Sequence, residues 1–263
     1  MKTVLKISVL PALLLLALAP AAYPDSITLN SVGGASNFTN GTLEFLGASP
    51  LNTTDYTQPL VAPASPTITS GCVGGACGAG GLLITPGESF NVSASNVWES
   101  PIGVSSWVSN LSTTGPNGGY ADPDEFYYYQ TTFTAVGGTT PYDGSISVLA
   151  DDTAEVLLNG AVIVPFGLVD GDGHCGDNPP TCGYPGTTVG LDTVSLDGTV
   201  LLPGTNTLTI INAQTGGMSA GVDFSATLAQ TPEPGSLLLL GTGLLGLAGI
   251  AFRRHKARSV GAK

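Results

Sequence analysis

The chain has 263 residues with 7 Lys and Arg against 19 Asp and Glu, a formal charge of −12. Every cation sits at an end, at Lys2 and Lys6 or at Arg253, Arg254, Lys256, Arg258 and Lys263, so residues 23–230 hold no Lys or Arg at all. A middle of this kind cannot neutralise phosphates, which excludes nucleic acid as a partner. It also forbids salt bridges to Lys or Arg inside the domain, leaving apolar burial, hydrogen bonds, disulfides and bound cations to hold it together.

Residues 1–21 read as a signal peptide. Lys2 and Lys6 precede an apolar run from Ile7 to Leu18, and Ala19-Pro20-Ala21 supplies the small residues that a signal peptidase needs. The chain is therefore expected to be exported, and its cysteines to be oxidised. Four cysteines allow three connectivities, of which the local pairings Cys72–Cys77 and Cys175–Cys182 are adopted here. Zinc is disfavoured because no Cys-x-x-Cys spacing occurs and His174 is the one other soft ligand in the domain.

Residues 22–230 carry β patterning throughout, with Gly, Ser, Thr and Asn abundant and no sustained helical periodicity. Strands are expected at 26–29, 43–46, 82–85, 126–134, 145–149, 154–158, 193–196, 207–211 and 222–228. So many short strands with turns between them predict an all-β fold, a single two-sheet β-sandwich of jelly-roll type. Residues 47–81, rich in Pro, Thr and Gly, read as a long surface excursion.

Trp98, Trp107 and the row Phe126-Tyr127-Tyr128-Tyr129 offer flat rings that could stack on sugars, and Trp98, Trp107 and Tyr128 are the candidate ligand-binding residues. Alternation would equally place at least two of the four in the row inside the core. Further on, Ile146, Val148 and Ala150 share a face, Asp151-Asp152 reads as a polar turn, 154–158 as a strand, and Asn159-Gly160 as a tight hairpin turn. "ADDTAEVLLNG" and the later "LLPGTNTLTI", with the early Trp98 and Trp107, are similar to the galactose-binding-like jelly rolls. That resemblance concerns structural motifs and implies a fold rather than a ligand.

In Asp170-Gly171-Asp172-Gly173-His174-Cys175-Gly176-Asp177, the carboxylates of Asp170, Asp172 and Asp177 offer hard oxygen ligands on a glycine-rich backbone. A structural calcium is the cofactor this loop would take, although Thr181 stands where an EF-hand would end in Glu. For catalysis the domain offers His174 as its one base of that type, and no Gly-x-Ser-x-Gly elbow is present. The domain is expected not to be an enzyme.

Pro232-Glu233-Pro234 is followed by an uncharged apolar run over 236–252 and then by the basic residues of 253–263. At roughly 1.5 Å per residue the run just spans a thin bilayer, and the positive-inside rule keeps Arg253 and Arg254 in the cytoplasm with the domain outside. Motif, short glycine-interrupted helix and cations in that order over 231–258 resemble the PEP-CTERM sorting signal of bacterial surface proteins, also described at the end of some ice-binding proteins. The resemblance implies that an exosortase recognises Pro232, Glu233, Pro234, Arg253 and Arg254, cuts near the motif and releases the domain to the cell surface or the exopolysaccharide matrix. Two functions are expected from this reading. One is a non-catalytic, surface-displayed module that binds carbohydrate; the other is a structural matrix or surface-layer component without a ligand pocket. A glycoside-active enzyme or an ice-binding protein ranks below both, since no regular Thr array is visible.

Overall fold

A computed structural model describes residues 25–51, 60–68, 86–119, 122–167, 175–178, 192–217, 219–231 and 241–249. The chain divides into two units, Asp25–Thr231 and a second one made of Met1–Pro24 with Pro232–Lys263. In the second unit the described residues form one helix, α1, at 241–249. Its Leu244, Leu245 and Leu247 are exposed. Among the described residues no helix is long and apolar enough to cross a membrane; the ends of the expected span 236–252, and the signal peptide at 1–21, lie outside them.

The first unit is a β-sandwich. Its strands are β1 (Ser26–Asn30), β2 (Val32–Gly33), β3 (Thr42–Pro50), β4 (Phe90–Asn91), β5 (Val108–Ser109), β6 (Glu125–Ala135), β7 (Tyr142–Asp151), β8 (Thr153–Leu158), β9 (Ala161–Val164), β10 (Asp192–Ser195), β11 (Gly204–Ala213) and β12 (Gly221–Gln230). One sheet runs β10-β7-β12-β5-β4, with β1 also on β12; the other runs β2-β3-β6-β11-β8-β9. All pairings are antiparallel except β2 with β3. The expected strand at 82–85 falls outside the described residues.

Alternation places one face of each long strand in the main core. Tyr127, Tyr129 and Phe133 of β6, Ile146 and Val148 of β7, Leu208 and Ile210 of β11, and Val222 and Phe224 of β12 meet there. The opposite faces are partly covered as well. Phe126 and Tyr128 pack with Leu60, Phe166 and Ile211, so β6 is apolar on both faces because both are buried. The whole row Phe126–Tyr129 is interior.

Two turns fix one edge. Asn159 (φ 51°) and Gly160 (φ 81°) form the β8–β9 turn with both central residues at positive φ, the geometry that an Asn-Gly pair favours. The side chain of Asn159 reaches β11, accepting from Thr207 N at 2.9 Å and donating to Asn206 Oδ1 at 2.9 Å. Asn206 is fully buried and closes the Leu-Pro-Gly turn before β11, accepting from Leu202 N and donating to the carbonyls of Leu202 and Gly204.

The expected polar turn at Asp151-Asp152 is a crossing. Asp151 ends β7 in one sheet and Thr153 begins β8 in the other, with Asp152 alone between them. Replacing Asn206 by Ala removes its four side-chain hydrogen bonds to Asn159, Leu202 and Gly204 in the turn before β11, at about 0.5–1.5 kcal/mol each before relaxation. Urea denaturation of Asn206→Ala should therefore show a loss of about 2–4 kcal/mol.

Candidate functional site

Residues 92–107 cross the outer face of the β7–β12 sheet, and a small apolar cluster of Trp98, Trp107 and Leu149 anchors them, flanked by Val92, Ala94 and Ile102. The two indoles lie 4.4 Å apart between ring centroids and 33° from coplanar. Trp98 Nε1 donates to Asp151 Oδ2 at 2.6 Å, and Trp107 Nε1 donates to Glu99 O at 2.9 Å. Two glycines make the space: a Cβ on Gly176 would stand 2.3 Å from Trp107, and one on Gly221 would stand 2.9 Å from Trp98. Nearby, Asp223 is buried and accepts from Ser31 Oγ at 2.6 Å and Ile102 N at 2.8 Å. Burial pushes its carboxyl above the usual range, and these hydrogen bonds, with that from Ser105, hold it back.

This geometry corrects the stacking role expected of Trp98, Trp107 and Tyr128. Their relative exposures are 1%, 0% and 1%, so none offers a face to a sugar ring. Tyr128 instead donates its hydroxyl to Pro63 O at 2.8 Å, beneath the segment that covers its side of β6. Sequence shows that a ring is present but not what covers it.

What remains open beside the Trp pair is a shallow groove of about 310 Å³. Asn91, Ser93, Ser95, Ser100 and Ser106 line it, with an edge of Trp107 below. A second groove of about 190 Å³ shares Val92 and Ser93 and is bounded by Ser112, Gly115 and Asn117. Asn117 Nδ2 of the second lining donates to Ser95 Oγ of the first at 2.8 Å. Among the described residues no charged side chain lines either groove. Their chemistry is that of hydroxyls and amides, able to donate to and accept from neutral polyols.

Of the expected calcium loop, Asp170 and Asp172 lie outside the described residues. Asp177 is half-buried and bridges Trp98, with Glu99 N donating to Gly176 O and Asn178 N to Val97 O on either side. Cys175 is buried and disulfide-bonded. Cys72, Cys77 and Cys182 lie outside the described residues, as do His174, Pro232, Glu233, Pro234, Arg253 and Arg254. Cys175 N donates to Asp152 O at 2.7 Å, which ties this bridged segment to the crossing between the sheets.

The fold defines an all-β, two-sheet module, and comparison with known proteins adds an address. Residues 230–254 match the PEP-CTERM protein-sorting motif, so the chain is an exported protein of the kind that this motif directs to exosortase processing. No curated protein matches the chain. Among solved structures it is similar to the Podospora anserina GH26-CBM35 β-(1,4)-mannanase, at 19% identity and a TM-score of 0.27 over 56% of this chain and 28% of that one. A family 35 carbohydrate-binding module from Clostridium thermocellum gives 13%, 0.26, 53% and 97% for the same measures. The Phanerochaete chrysosporium exo-β-1,3-galactanase gives 18%, 0.24, 53% and 26%. At those scores the sandwich stands on its own strand pairing and not on these neighbours.

Gly176→Ala should press a methyl into Trp107 and cost about 1–3 kcal/mol by overpacking. Thermal denaturation of Gly176→Ala against the unaltered protein reads that cost, and Gly138→Ala, where a Cβ meets nothing within 4 Å but φ is 101°, reads backbone strain without a clash for comparison.

Proposed function

We propose that the protein is a non-catalytic, surface-displayed module that binds neutral carbohydrate of the exopolysaccharide matrix, on a jelly-roll domain of the galactose-binding-like kind. The single observation that carries the address is the sorting motif at 230–254. A signal peptidase removes 1–21, the apolar segment around α1 holds the chain in the membrane with its exposed leucines toward lipid, and exosortase cuts near Pro232-Glu233-Pro234. The disulfides Cys72–Cys77 and Cys175–Cys182 staple loops of the exported domain.

The uncharged groove beside Asn91, Ser93 and Ser95 supports the sugar reading. An acidic domain repels anionic polymers, so its own polar contacts suit uncharged ones. Burial of Trp98, Trp107 and Tyr128 supports the second reading, a structural matrix component that holds its place without a ligand, because it removes the rings that sugar sites use to stack.

Mass spectrometry of protein released from the surface should find a C-terminus close to Pro234, and recovery of Arg253–Lys263 on that protein would leave a plain membrane anchor. Affinity electrophoresis in neutral polysaccharide should show retardation that Ser93→Arg weakens by at least about tenfold. Equal mobility with and without polysaccharide, in a protein that still reaches the surface, would favour the structural reading.

A further inference from the structure

Asp25 and Thr231, which bound the sandwich, lie together at one end of it. Gln230 N donates to Asp25 O at 2.7 Å, and Thr231 donates to Pro141 O through its amide at 3.0 Å and its hydroxyl at 2.6 Å. Tyr142 stands opposite Gln230 of β12 and, on its other side, opposite Thr199, with which it exchanges backbone bonds of 2.7 and 3.0 Å. That register sets Thr231 and Val200 on either side of Pro141, about 10 Å apart at two strand spacings.

Two turns close over the same end, 136–141 between β6 and β7 and 199–203 before β11. Their backbones touch: a Cβ on Gly137 would stand 2.4 Å from Pro203 N and 2.6 Å from Leu202 O. Asp25 ties the first turn down, accepting from Val136 N at 3.1 Å and from the Tyr142 hydroxyl at 2.8 Å, and that hydroxyl accepts from Gly137 N at 3.2 Å. Neither turn contains a charged residue. The nearest acids beyond Asp25 stand one step back and brace each other's strand, Asp143 accepting from Gly198 N and Asp197 from Gly144 N, both at 3.0 Å. Yet the turns expose Val136, Val200 and Leu202 by 68%, 60% and 54%, three of the seven exposed large apolar side chains described in the sandwich. They make one apolar patch in an otherwise acidic domain.

The length of chain beyond Thr231 says what covers the patch, on the reading given above that residues 236–252 sit in the membrane. Ser236 is five residues past Thr231, at most about 18 Å of extended chain. As a helix the 17 residues of 236–252 rise only about 26 Å against a hydrocarbon layer of about 30 Å, which draws both ends of the span into the bilayer and leaves no slack. We propose that, while the sorting tail is in place, Val136, Val200 and Leu202 rest on the outer lipid surface and enter its headgroup boundary. A free domain with three such side chains would bind vesicles weakly, but a short tether supplies the effective concentration that makes so small a patch sufficient. Uncharged turns suit the place, since carboxylates there would meet anionic headgroups. The serine-lined groove is held at the opposite end: Val108, next to Trp107, pairs with Val222, which pairs with Ala150, eight residues or about 26 Å along β7 from Tyr142.

The test reconstitutes the chain with its sorting tail intact into phosphatidylcholine vesicles, plain or brominated on the acyl chains, and reads tryptophan emission. Trp98 and Trp107 are buried near the far end of β7 and report on neither lipid. Val200→Trp adds a ring that should lose at least about half of its emission to the brominated lipid, as a tryptophan at the membrane interface would. Val61→Trp, equally exposed but next to the Leu60 contact with Phe126 at the opposite end, should keep its emission. Adding Val136→Asp and Leu202→Asp to Val200→Trp should restore most of what was lost. Quenching that survives those two changes would assign the closeness to the tether alone and overturn the proposal. An unquenched ring on protein that floats with the vesicles would also overturn it while leaving the membrane reading intact, and a blue shift without quenching would give the patch to a second copy of the chain instead. Protein left behind when the vesicles float would sink both the membrane reading and this inference.

Discussion

The structure depends on one constraint: acids are buried in a domain that has no fixed cation to pair with them. Asp122, Glu125, Asp151, Asp152 and Asp223 are all buried, and the chain between residues 23 and 230 contains neither Lys nor Arg. Isolated charges cannot be taken from water at that depth without compensation. The fold meets Asp151 with an indole N–H, Asp152 with an amide and hydroxyl of Thr215, and Asp223 with a hydroxyl and a backbone amide. Such neutral donors come from loops, and this explains why residues 92–107 are held so closely over the sheet: they carry the Trp98 indole and the Ile102 amide. Loop conformation and core electrostatics are one problem in this domain.

How much of this was legible in the sequence depends on the length of each element. The long strands β6, β7, β11 and β12 announced themselves through alternation, and Asn159-Gly160 announced a hairpin. Its second strand, β9, was not foreseen, since Ala161–Val164 is too short to show a period against its surroundings. Strands β2, β4 and β5 have two residues each and exist because neighbouring chain passes alongside; no local pattern encodes them. Asp151-Asp152 looked like any polar turn, and only the partners of β7 and β8 reveal that it joins two sheets.

The aromatic residues show a different limit. Tyr128 alternates in sequence with Tyr127 and Tyr129, which predicts opposite faces, and it does occupy the opposite face. That face is itself covered, by Leu60 and Phe166 brought from far along the chain. Trp98 and Trp107 pose the same difficulty: a large ring between short polar stretches resembles a binding residue until Gly176 and Gly221 are seen to leave space for it. Of the open groove itself one faint sign is legible, the serine-rich composition from Ser93 to Ser106. The sorting motif, by contrast, is legible in the sequence and is matched at residues 230–254, because it is a linear address whose meaning does not wait for folding.

The Trp98–Trp107 contact has an optical consequence. The chain holds 2 tryptophans, and both stand in a single stacked pair with centroids 4.4 Å apart, one of them bonded to the last residue of β7. Its indole emission therefore comes from one place, the junction where the backbone passes from sheet to sheet. The dipoles of two rings that close couple, so the near-ultraviolet dichroism of the protein is a local gauge of that junction, written into the native chain with no label added.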